Sequence, residues 1–152
     1  MTIAQGNCSC GRSRFTLSRI PTRRFLCHCT ICQTVYKQPF ADALITNART
    51  VEVSPDSALG IHRLNGSKSI DRGICEQCNE PTIGFMKLMP GVELAFVPAH
   101  TLKQACGLPS PAMHIYYEAR AADIADDLPK HETAGQSMAA CLWPFIAGFA
   151  GF

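Results

Sequence analysis

Three thiols crowd into the hexapeptide Cys27-His28-Cys29-Thr30-Ile31-Cys32. A single cysteine is often a small packing residue. Three this close call for a partner that offsets thiolate charge, and Zn²⁺ is the usual one, at a Zn–S distance of about 2.3 Å. Three protein ligands leave one tetrahedral position open, and an open position separates a catalytic zinc from a structural one.

The other six cysteines fall into two pairs and two singletons. Cys8 and Cys10 form a C-x-C pair before Gly11, and Cys75 and Cys78 form a C-x-x-C pair before Asn79. A C-x-x-C turn brings two sulfurs to one metal, and the residue after it often needs a positive φ, which Asn tolerates. A C-x-C pair on an extended segment puts both side chains on one face. Together the two pairs supply four thiolates for a closed structural site. Cys106 and Cys141 stand alone and are expected to be buried as small hydrophobes. The triad could still be closed by Cys106, Cys141 or one of His62, His100, His114 and His131. His28 is a poor fourth ligand, because it alternates with Cys27 and Cys29 and points to the opposite face of an extended backbone.

These sites need a scaffold. At 152 residues and 47% hydrophobic, the chain is long enough for one domain with a real core. Residues 1–6 carry neither the basic stretch nor the apolar run of a secretory leader. The expectation is therefore a cytoplasmic, reduced protein whose nine cysteines serve metal rather than disulfides. The net charge of +2 gives no strong overall field. Arg12, Arg14, Arg19, Arg23, Arg24 and Lys37 all precede the first acid, Asp42. Such a basic segment suits an anionic small molecule or a phosphate backbone, or it is simply a solvated strand face.

Short alternating segments dominate. Strands are expected over 12–19, 25–28, 40–46, 51–53, 61–64, 69–74, 82–88, 94–97 and 114–117, with Asn65-Gly66 as a hairpin turn. Residues 118–127 are expected to form one or two helical turns before Pro129. Strands this short, with turn signals about every ten residues, argue for a mostly β, antiparallel fold. Residues 137–152 are apolar, but they are shorter than the roughly 20 residues of a membrane span and are broken by Pro144, Gly148 and Gly151. The expected division is a zinc domain over 1–136 and a tail over 137–152 that docks on it or on a second copy of the chain.

At these residues the chain resembles the glutathione-dependent formaldehyde-activating enzyme family, which has an Mss4-like, zinc-stabilised β fold. The resemblance runs from about residue 4 to 132. It rests on Gly6-Asn7-Cys8-Ser9-Cys10-Gly11, Cys27-His28-Cys29-Thr30-Ile31-Cys32-Gln33, Pro39-Phe40, Arg72-Gly73-Ile74-Cys75-Glu76-Gln77-Cys78, His114-Ile115 and Leu128-Pro129. It implies two zincs per chain. One is structural, on Cys8, Cys10, Cys75 and Cys78; the other is catalytic, on Cys27, Cys29 and Cys32. The family usually has Gly where Lys37 and Asn79 stand, and Trp near Ile124. Lys37 is accordingly expected to narrow the mouth of the site or to add a charge there.

The activity implied is condensation of glutathione with formaldehyde, a carbon–sulfur bond made or broken. A zinc with three thiolates suits a soft fourth ligand, such as a substrate sulfur. Glutathione carboxylates could meet the basic N-terminal segment, and His28 is a candidate general base. The rival readings are a non-catalytic zinc module that binds protein or nucleic acid, and a thiol sensor in which the triad itself reacts. The second, three-thiol group disfavours the module, which needs only the closed site.

Overall fold

The computed structural model describes residues 1–64, 70–103 and 105–147, with side chains through 143. A small antiparallel sheet has the order β1–β2–β5, built from Ala4–Asn7, Arg14–Leu17 and Val51–Val53. A seven-stranded sheet has the order β10–β3–β4–β9–β8–β7–β6. Its strands are β3 (Arg23–Cys27), β4 (Ala41–Asn47), β6 (Leu59–His62), β7 (Asp71–Cys75), β8 (Pro81–Met89), β9 (Val92–Pro98) and β10 (His114–Ile115). Every pairing is antiparallel except β10 with β3, which is parallel and sets His114 against Leu26 and Ile115 against Cys27. The architecture is mostly β and consistent with an Mss4-like fold.

The period of two along the central strands builds two cores. On β4, Ala43 and Ile45 join Phe25, Cys27, Met86 and Leu94 on one face. Leu44 turns the other way, to Phe15, Leu17, Ile83, Ala95 and Val97, where the small sheet packs. The first face carries the three-thiol segment.

The predicted strands are present with shifted ends. The exceptions lie at the edges. Residues 114–117 form only the two-residue β10, and a 3₁₀ turn takes over at Tyr117–Ala119. The expected Asn65-Gly66 turn lies outside the described residues. Two helices had no sequence forecast. Helix α1 (Thr30–Tyr36) follows the last triad strand, and α2 (Ala134–Ala147) carries the described part of the tail. On α2, Ser137 and Cys141 are buried, and Met138, Ala140 and Leu142 pack on the first core. Trp143 stays exposed. Among the described residues no helix is long and apolar enough to cross a membrane.

Candidate metal centres

Cys8, Cys10, Cys75 and Cys78 bring all four sulfurs within 4.8 Å of one another. Cys8 Sγ lies 3.5 Å from Cys10 Sγ, which lies 3.6 Å from Cys75 Sγ. A tetrahedral ion with four bonds of 2.3 Å needs sulfur separations of about 3.8 Å, so the set fits zinc. The backbone shapes this group. Both pairs are followed by a left-handed residue, Gly11 at φ 74° and Asn79 at φ 60°. These reversals aim N–H groups at sulfur. The Ser13 N–H donates to Cys8 Sγ at 3.4 Å. Burial pushes the Cys75 thiol up, but the Ser13 hydroxyl and the N–H groups of Cys78 and Gln77 outweigh it and bring the thiol down to about 6. Cys8 and Cys10 follow β1, whereas Cys75 ends β7, so the group ties the small sheet to the large one.

Cys27, Cys29 and Cys32 form the second group, also within 4.8 Å. Cys27 ends β3. Cys29 is the N-cap of α1, and its sulfur accepts the Cys32 N–H at 3.3 Å. Cys32 lies buried in the first turn. Gln33 holds the segment in place by donating to His28 O at 2.7 Å and to Ala119 O at 2.8 Å. Hydrogen bonds from the Cys27 and Cys32 thiols pull Cys29 down to about 3, whereas bonding to Cys29 holds Cys27 well above the ordinary thiol value. The Cys27 thiol lowers Cys32, but the Cys29 sulfur and burial prevail and push it up to about 12. Three sulfurs this close share one negative charge unless a cation joins them. The donor set therefore fits a soft divalent metal.

No fourth Cys, His, Asp or Glu joins this group among the described residues. Instead the group opens on a cavity of about 230 Å³. Cys141 lines that cavity without entering the cluster, and burial pushes its thiol up to about 12. The buried Arg72, on β7, also lines it, with Nη2 4.0 Å from Cys32 Sγ. Tyr116 sits at φ 53°, a costly conformation for an aromatic residue, and its N–H donates to Ser137 Oγ of α2 at 2.7 Å.

Several sequence expectations change here. Cys106 is exposed rather than buried, in the turn before Gly107 at φ 77°. Lys37 is the C-cap of α1 at φ 52°, so its place calls for a left-handed residue rather than an empty space. Of the basic N-terminal residues, none lines the cavity, but Arg24, paired with Asp42 at 2.6 Å, lines a neighbouring groove; Arg14 pairs with Asp56. His28 turns away from the sulfurs, as the alternation required, and bonds His114. Tyr36 and Tyr116 carry no sequence signal for the site; Arg72 is expected only as part of the Arg72–Cys78 motif, and the tail that forms α2 only as a segment docked on the domain or on a second copy. Their places depend on which distant strands fold over the triad.

The profile of the glutathione-dependent formaldehyde-activating enzyme family matches residues 3–119. The chain belongs to this family. Both cysteine groups fall inside the matched span. No curated protein sequence matches the chain. Among solved structures, the crystal structure of a Rhodobacter sphaeroides protein is similar at TM-score 0.53 and 18% identity, covering 69% of this chain and 97% of that one. At that identity the likeness concerns the fold alone.

Proposed function

We propose that the chain is a zinc-dependent carbon–sulfur lyase of the glutathione-dependent formaldehyde-activating type. Cys8, Cys10, Cys75 and Cys78 would hold a structural zinc, and Cys27, Cys29 and Cys32 a catalytic one. The observation that carries the reading is the contrast between the two groups: four sulfurs face one another, and three face a cavity. In the synthetic direction the thiol loses its proton, sulfur bonds the carbonyl carbon, and the carbonyl oxygen gains a proton. Lysis is the reverse.

Bound at the triad, Zn²⁺ would supply positive charge that favours a substrate thiolate or polarises a carbonyl oxygen. The remaining work falls to the chain. Arg72 places a second cation beside Cys32 and lowers its thiol, so three thiolates need not be balanced by metal alone. Cys29 is held by the α1 cap and Gln33 by two carbonyls, which fixes the sulfurs before substrate arrives. The neighbouring groove of about 600 Å³, lined by both charged and apolar residues, shares Tyr36 and Pro81 with the cavity. It presents Lys103 and His100 as well as Glu80 and Asp42, charges of both signs that suit the carboxylates and ammonium of glutathione.

Zinc stoichiometry with and without glutathione tests the reading. Wild type should hold two zincs, and Cys29→Ser one, with loss of glutathione binding. Unchanged metal content and affinity in Cys29→Ser would overturn it.

A further inference from the structure

The cavity beside the triad is larger and more apolar than a one-carbon aldehyde requires. Phe25, Ile83, Met86 and Phe96 line its sheet side, and Met138 and Leu142 line its α2 side. Its charged group, Arg72, stays close to the sulfurs, 4.0 Å from Cys32. An apolar protein cavity of roughly 150 Å³ takes up benzene. At about 230 Å³, a volume that also includes the space a metal on the three sulfurs would take, this one has room for a ring or a chain of comparable size. A hydroxymethyl group would leave most of the lining without contacts, and apolar walls gain little from a small polar guest.

We propose that the aldehyde partner carries an apolar group of about six carbons, aliphatic or aromatic, seated between the sheet and α2. The proposal rests on the reading of the triad as the thiol site and names its substrate class. The bond changes are those of the lyase reaction: S–H and C=O become C–S and O–H.

Stable thioether analogues isolate the cavity, because they keep glutathione constant and vary only the group on sulfur. S-methyl-, S-propyl-, S-hexyl-, S-octyl- and S-benzylglutathione would be titrated calorimetrically into the zinc-loaded protein. Affinity should rise about fourfold per added methylene up to roughly six carbons, then level or fall. S-benzylglutathione should bind about as well as the hexyl analogue. Met138→Phe, which fills the α2 side, should flatten the series. Leu142→Ala, which widens it, should move the best length upward. A flat series with every analogue and glutathione bound equally would overturn the proposal and leave the lyase reading standing. Failure of every analogue and of glutathione itself to bind would overturn both.

Discussion

His28 Nε2 and His114 Nδ1 lie 2.9 Å apart between two buried rings. His114 Nε2 in turn meets Asp126 Oδ2 at 2.8 Å, and Lys130 reaches Asp126 Oδ1 at 2.7 Å. When His114 is neutral, its one N–H goes to the Asp126 carboxylate and its Nδ1 accepts from His28 Nε2. His28 Nδ1 is then a bare acceptor, and it is buried without a partner. The relay anchors the triad from behind, because His28 lies between Cys27 and Cys29.

Breaking that bond from one side should cost more than removing it. His114→Phe leaves a buried N–H on His28 and should destabilise by about 1–3 kcal/mol. The double variant His28→Phe/His114→Phe should lose less than the two single variants added together. Urea unfolding of the zinc-loaded proteins measures the cycle; strict additivity would show that the two rings do not act as a pair.

Cys141 is the one further thiol on the cavity wall. If three sulfurs suffice for the second metal, Cys141→Ala keeps two zincs per chain. Its cost should be small, within about 1.5 kcal/mol, since a small apolar side chain replaces a small one. Metal analysis after dialysis reads the count, and a drop to one would make Cys141 the fourth ligand.

Lys37 occupies a left-handed C-cap. Lys37→Gly should stabilise the protein by about 0.5–1 kcal/mol, the relief of the left-handed penalty less the entropy glycine adds to the unfolded chain. Thermal unfolding checks the sign. A loss of stability would mean that the lysine side chain contributes more than its backbone costs.

His100 gives a pH signature. Burial lowers its pKa below the ordinary 6.5, against the opposing pull of Glu80 and with a smaller lowering from Lys103. The unfolded chain therefore binds this proton more readily than the folded one. Stability from this residue is fully present above pH 6.5 and falls as pH drops through the depressed value. His100→Gln should flatten the decline between neutral pH and the mildly acidic range. The urea midpoint of both proteins against pH, at constant zinc, tests it; parallel curves would remove His100 from the account.

Much of the site was legible because cysteine spacing is local information. The sulfurs that gather in the structure are the ones the C-x-C, C-x-x-C and triad spacings group together. Strand alternation likewise located β2 and β5. Helix α1 escaped because Thr30, Ile31, Thr34 and Val35 are β-branched and favour strands; its cap and the Gln33 bonds override that preference. Arg72 escaped because nothing local says that β7 lies against the triad. The departure at Lys37, read from sequence as a narrower mouth or an added charge, falls on a left-handed backbone angle, which substitution patterns alone do not distinguish. Cys106 was misplaced because a lone thiol beside glycine carries no pattern.

Helix α2 begins at Ala134, beyond residue 119 where the family profile ends, yet Met138, Cys141 and Leu142 complete the cavity wall. One side of the cavity wall is thus encoded beyond the matched span, while Phe25, Ile83, Met86 and Phe96 on its other side lie within it. A recombination or frameshift confined to the gene's 3′ end would reshape that one side while Cys27, Cys29 and Cys32 stayed in place.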